Sequence, residues 1–187
     1  MTNKSTYTTQ NDLLLNNLLE YYNKTGLLDK MLKIITGECK ISLRIVDWFA
    51  TNYAKKNYTT YPIEGTNARR FKVYVDYKLK LKAYSKKRFD PFCRWDRISI
   101  PYKNDTFIET TIGQLNFFKW ALENKVVDYI EEHYDIIEKD MNNRNSTSKR
   151  KGSITDNSKT RKKREELSVS ASKSIKKEDI EISVSFH

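Results

Sequence analysis

Three features of the sequence predict an α+β domain. Apolar residues recur at helical spacing in the first 53 residues and again after Thr111, strict alternation intervenes between them, and the apolar signal fades after Met141. Residues 1–11 read as a polar leader and residues 12–141 as the folded domain. Residues 142–166 read as a flexible basic linker, and residues 167–187 as a C-terminal segment with a strand.

Asp12 precedes Leu13, Leu14, Leu15, Leu18, Leu19 and Tyr22, a helical pattern that stops at Thr25-Gly26. A second helix aligns Leu28, Leu32 and Ile35 and ends at Gly37. A third starts at Ser42 and sets Val46, Phe49, Ala50 and Tyr53 on one face. From Phe71 the period changes to two. Phe71, Val73, Val75, Tyr77, Leu79, Leu81 and Ala83 alternate with Lys72, Tyr74, Asp76, Lys78, Lys80, Lys82 and Tyr84, which predicts a strand buried on one face. Its length exceeds an ordinary strand, so a bend or a helical second half is the other reading. Arg97–Pro101 reads as an edge strand of a small antiparallel sheet.

Thr111-Ile-Gly-Gln114 fits a capping box. Behind it Phe118, Leu122, Val126, Tyr129, His133, Ile137 and Met141 trace a long amphipathic helix, or two helices with a break at Asn124. Glu131, Glu132, Asp135, Glu138 and Asp140 face outward. Near the end Ile180, Ile182, Val184 and Phe186 alternate with polar residues, consistent with a strand returning to the domain edge.

The net charge of +11 is unevenly distributed. Residues 61–103 hold 12 basic and 4 acidic residues, residues 104–142 hold 3 and 9, and residues 143–187 hold 12 and 6. An A/T-rich coding sequence enriches lysine everywhere; two basic blocks around an acidic one imply electrostatic polarity and a polyanionic partner.

Catalytic signatures are missing for a physical reason. Gly26, Gly37, Gly65, Gly113 and Gly152 stand far apart, so no glycine-rich loop can cradle a phosphate. Cys39 and Cys93 cannot make a thiolate zinc site, and His133 and His187 are distant in sequence. The expectation is a non-enzymatic protein without metal, cofactor or small-molecule substrate. The opening residues carry no apolar run, and no stretch approaches the roughly 18 residues of a membrane span, so neither a secretory signal nor a membrane partner is expected.

Two stretches are candidates for binding DNA or RNA. The first is the strand face with Lys72, Tyr74, Lys78, Lys80, Lys82 and Tyr84, continued by Lys86, Lys87 and Arg88. Cations that follow phosphates and rings that accept bases suit a single strand, while lysines that merely blunt a sheet edge would give the same pattern. The second combines Lys149, Arg150 and Lys151 with Arg161, Lys162, Lys163 and Arg164. Its spacing matches a bipartite nuclear import signal and equally a basic arm. Nearby serines, Ser146, Ser148, Ser153, Ser158 and Ser168, offer phosphorylation sites that would subtract charge. The aromatic runs Phe89–Trp95 and Asn116–Trp120 read as core; exposed, they and the acidic helix would instead suit a virion or assembly adaptor that binds viral or host proteins.

Several runs carry a resemblance: Ser42-Leu-Arg-Ile-Val-Asp-Trp-Phe-Ala-Thr-Asn-Tyr-Ala-Lys-Lys56, Leu81-Lys-Ala-Tyr-Ser-Lys-Lys-Arg-Phe-Asp-Pro-Phe-Cys-Arg94, the region from Thr110 to Trp120, and Lys163-Arg-Glu-Glu-Leu-Ser-Val-Ser-Ala171. They resemble an uncharacterised protein family of nucleocytoplasmic large DNA viruses, of mimivirus or iridovirus type. The resemblance implies a viral product in host cytoplasm, nucleus or virion, and brings no activity or site residues with it. The reading from sequence is therefore a viral accessory protein that binds nucleic acid with low sequence specificity.

Overall fold

A computed structural model describes residues 9–63, 70–103, 106–152 and 177–179, with residues 145–152 and 177–179 as backbone only. The helices are α1 (Gln10–Thr25), α2 (Leu28–Thr36), α3 (Leu43–Trp48), α4 (Ala54–Lys56), α5 (Val73–Arg88), α6 (Ile112–Glu123), α7 (Val126–Glu132) and α8 (Tyr134–Gly152). A π turn, Phe49–Tyr53, joins α3 to α4. The strands are β1 (Thr60–Pro62), β2 (Arg70–Lys72), β3 (Arg97–Pro101), β4 (Thr106–Thr111) and β5 (Lys177–Asp179). The α+β class holds.

Helix α6 is the centre. Gly113 through Phe118 and Trp120 through Leu122 are all buried, as a helix surrounded on every side requires. It packs against α1, α5, α7 and β4. The Tyr22 hydroxyl donates to the Leu115 carbonyl at 2.7 Å, which fixes α1 across it. At its start the Thr111 hydroxyl accepts from the Gln114 N–H at 3.1 Å, one half of the expected capping box. The Gln114 side chain does not reach back. It bridges the Thr110 hydroxyl and the Pro91 carbonyl instead, because β4 and the 89–92 segment both end there.

Helix α1 opens on a complete capping box between Thr9 and Asp12, and left-handed Gly26 and Gly37 end α1 and α2 where expected. The chain turns at Asn124 and Lys125 as the sequence predicts, and again at His133, so the long amphipathic pattern divides into α6, α7 and α8. Strand β3 lies where expected and pairs antiparallel with β4; β4 pairs antiparallel with β5, Ile108 opposite Lys177. The three residues Lys177–Asp179 form β5, whereas the strand expected at Ile180 to Phe186 lies outside the described residues.

Two expectations are corrected. Helical backbone continues beyond Met141 to Gly152, so the first part of the expected linker extends α8. Residues 142–151 contain no proline or glycine, and their lysines and arginines are good helix formers. The larger correction concerns the alternating segment. Only Arg70–Lys72 is strand, paired with β1 (Thr60↔Lys72, Tyr61↔Phe71, Pro62↔Arg70), and from Val73 the chain is helical. Val73, Tyr77, Leu81 and Tyr84 recur at helical spacing and form the inner face, so both periods coexist in the same letters. Leu, Lys and Ala favour the helix.

Candidate nucleic-acid interface

Turning a strand into a helix redistributes the predicted site. At 100° per residue, Val75, Lys78, Leu79 and Lys82 share one outer stripe, and all four are exposed. Lys72 is exposed at the mouth of α5, where it is the N-cap residue. Lys80 rotates away onto a half-buried flank. The two tyrosines turn inward and become half-buried: Tyr84 stacks on buried Phe89 with centroids 6.4 Å apart, and Tyr74 packs on the core with the Lys55 ammonium 5.7 Å from its ring centre. The flat plane of alternating lysine and tyrosine expected from sequence does not exist.

The helix breaks at Ser85, whose φ of 61° and ψ of 169° fall in a region that strains any residue with a Cβ. Beyond the break Lys86 is exposed, Lys87 pairs with Asp96 at 2.7 Å, and Arg88 donates to the Gln10 side chain at 3.4 Å. This last turn is fastened to α6. Asn116 donates to the Arg88 carbonyl at 2.8 Å, the Asp90 N–H donates to the Gly113 carbonyl, and a Cβ on Gly113 would come within 2.9 Å of the Lys87 carbonyl oxygen. Glycine is required there for close approach of two backbones.

Ion pairs among the described residues lie mostly outside the 70–86 stretch. The carboxylates of α7 and α8 serve lysines of the N-terminal half: Asp128 binds Lys30 at 2.5 Å, Asp135 binds Lys40 at 3.1 Å, and Asp140 binds Lys56 at 2.7 Å. Lys103 pairs with Asp29, Arg97 with Glu109, and Arg94 with buried Asp90 through two hydrogen bonds. Arg70, Lys72, Lys78, Lys80, Lys82 and Lys86 have no such partner among the described residues, and they belong to one continuous stretch. Asp76, the one carboxylate within α5, is turned inward and accepts from the Trp120 indole at 2.7 Å. Lys33, Arg44, Lys55 and Lys139 also lack an ion pair among the described residues, but they are scattered along the chain, whereas β2 and α5 gather six such cations within residues 70–86.

Beneath the inner face lies a small ionic group. Asp47 is pushed up to about 6, chiefly by desolvation and then by the neighbouring Asp90, with Arg94 opposing. Burial, with Asp47 and Asp90 nearby, pushes the Tyr77 hydroxyl up to about 12.

No pattern in the residue order singled out Tyr58. It follows the Asn57 cap of α4 in the left-handed region (φ 48°), and the next N–H, of Thr59, returns to the Ala54 carbonyl at 3.2 Å. That is a Schellman turn, whose left-handed position favours glycine or asparagine; a tyrosine there costs about 1–2 kcal/mol. The residue is 87% exposed. Lysine-flanked Val75 and Leu79 also stand out, 53% and 60% exposed, between two open hollows. One hollow is floored by Phe71, Asp76 and Asn124, the other by Tyr74 and Leu81. The aromatic runs are mostly core, with Phe89, Phe92, Phe117, Phe118 and Trp120 buried and Trp95 43% exposed.

Lys149, Arg150 and Lys151 lie on α8 backbone, and Arg161, Lys162, Lys163 and Arg164 lie outside the described residues. Among the described residues no three His, Cys, Asp or Glu side chains could hold a metal ion, and no helix is long and apolar enough to cross a membrane.

A family model described as "Family of unknown function (DUF7197)" matches residues 1–186. The chain belongs to this family. A curated relative, "Uncharacterized protein L507" of Acanthamoeba polyphaga mimivirus, is 48% identical over 127 residues. The match takes in 65% of this chain and 49% of the relative, so the chain spans about half of that protein's length. No solved structure matches. The resemblance to an uncharacterised family of large DNA viruses thus holds, and the family brings no activity with it.

Proposed function

We propose that the protein is a non-catalytic accessory protein of a large DNA virus that binds nucleic acid with low sequence specificity through the outer surface of α5. The observation that carries this reading is the run of cations without an ion pair from Arg70 to Lys86, whereas most of the other described lysines and arginines pair with a carboxylate. Lysine predominates in α5, which suits phosphate contact; base-edge readout favours the arginine fork. Lys78 and Lys82, one helical turn apart, lie about 6 Å from each other along the axis and can meet neighbouring phosphates. The basic residues from Lys149 to Arg164 would add a second contact or direct nuclear import.

The test is anisotropy of labelled single- and double-stranded 20-mers with the full chain at 50 and 200 mM salt. Binding that falls steeply with salt, and is lost in Lys78→Glu/Lys82→Glu, is the expected result. Binding that this double variant leaves unchanged rules α5 out.

A second reading rests on Val75 and Leu79, whose exposure within the lysine stripe also suits an adaptor that docks a protein. Partner capture insensitive to salt but lost in Leu79→Ser would favour it.

A further inference from the structure

Tyr58 is the only described tyrosine whose ring makes no stacking, cation–π or hydrogen-bonding contact. Tyr21, Tyr53, Tyr61, Tyr77, Tyr84 and Tyr129 pack on other rings; Tyr22, Tyr102 and Tyr134 donate hydrogen bonds; Tyr74 receives Lys55. It is nevertheless held in one backbone conformation that its residue type disfavours, by the Thr59 N–H on the Ala54 carbonyl. A strained residue fixed with its ring in water is a poor solution for stability alone.

Its location relative to α5 follows from the backbone. Thr59, the next residue, accepts from the Val73 N–H at 3.3 Å, and Thr60 pairs with Lys72. The register that sets Thr60 opposite Lys72 and Thr59 at Val73 brings Tyr58 to the first turn of α5, close in sequence to Lys55, with Lys78 and Lys82 following along the helix. An exposed phenol ring at one end of a line of unpaired ammonium groups is a combination with a definite chemistry. A ring face accepts an unstacked base, and the ammonium groups take the phosphates that follow it. In a duplex the bases are already stacked on one another, and the ring has nothing to receive.

We propose that Tyr58 is a base-stacking residue and that the ligand of the α5 surface is single-stranded nucleic acid. This rests on the nucleic-acid reading of α5 given above.

The experiment uses the full chain with labelled dT20 and a 20-base-pair duplex at 50 mM salt. Tyr58→Ala is expected to weaken dT20 binding about 5- to 100-fold and to leave duplex binding within about twofold. Tyr58→Trp should keep dT20 affinity. Tyr58→Gly separates stacking from folding: it relieves the left-handed strain, so the melting temperature should rise by a few degrees while dT20 binding falls as in Tyr58→Ala. If Tyr58→Ala and Tyr58→Gly bind dT20 like the parent while Lys78→Glu/Lys82→Glu does not, the stacking role is overturned and the α5 reading stands. Equal losses on dT20 and duplex overturn the single-strand assignment. A parent chain that binds neither oligonucleotide overturns both.

Discussion

The Asp76 carboxylate accepts the indole N–H of Trp120 at 2.7 Å, and this bond orients α5. It turns the sole acid of the helix against buried α6 and leaves Lys78 and Lys82 without a local counter-charge. Asp76→Ala strands a donor on a side chain that is 3% exposed, at a cost of about 1–3 kcal/mol. Asp76→Asn keeps an acceptor oxygen and should cost less. Urea midpoints of the two variants check the order.

Gly113 is fixed by crowding. A Cβ there meets the Lys87 carbonyl at 2.9 Å and the Phe89 nitrogen at 3.4 Å, both of them backbone atoms that cannot swing aside. Gly113→Ala should therefore destabilise the domain by about 1–3 kcal/mol, through the joint that fastens α5 to α6. Gly26 has open space around it and only its left-handed φ of 65° to defend, so Gly26→Ala should cost about 1 kcal/mol. Thermal melts of both variants make the comparison.

These two contacts show what the amino-acid order could reveal. The Gly26 and Gly37 helix ends, the Thr111 cap and the Asn124 break are local, written within a few residues, and each was legible. The α5 segment was not. Phe71 to Ala83 alternate, which reads as a strand, yet Val73, Tyr77 and Leu81 satisfy a helix equally well. What decides between them is tertiary: Asp76 finding Trp120, and Phe89 packing on Tyr77 and Tyr84. The candidate site followed the same rule. Basic character was visible in the letters, whereas the inward packing of Tyr74 and Tyr84 and the display of Tyr58 depend on how the chain closes.

Ser85 stores strain that the fold does not need for packing, since its side chain is exposed. With φ 61° and ψ 169° it occupies a region open mainly to glycine. Ser85→Gly should raise stability by about 1–2 kcal/mol, partly offset by the greater freedom of glycine in the unfolded chain. A Tm increase without change in helix content by circular dichroism is the expected outcome.

If α5 binds nucleic acid as proposed, salt dependence counts its phosphate contacts. Each contact contributes about 0.7 to the slope of log affinity against log salt for a single strand and about 0.9 for B-form DNA. Lys78→Gln/Lys82→Gln should then lower the slope by about 1.4 on dT20. Lys40→Gln, which removes a lysine already paired with Asp135, should not change it. A slope equal in all three proteins would exclude Lys78 and Lys82 from phosphate contact.

Asp47 sets a pH dependence of stability whose sign is opposite to that of an ordinary ion-paired carboxylate. Its folded value of about 6 lies above the ordinary 3.8, because desolvation and the adjacent Asp90 disfavour its ionised form. The folded state thus holds this proton more tightly than the unfolded chain does. The stabilisation is complete below about pH 4 and is lost as pH rises through 6, a difference of at most about 3 kcal/mol. Asp29, Asp128 and Asp140 are lowered by their lysine partners, and they lose stability only as the pH falls through and below the ordinary carboxylate range. Between pH 7.5 and 5 the Asp47 effect therefore acts alone among these four, and denaturation midpoints should rise as the solution is acidified. Asp47→Asn cannot ionise. It should be more stable than the parent at pH 7.5 and show a flatter profile down to pH 5; a parent whose midpoint falls steadily over that interval would contradict the burial of this carboxylate.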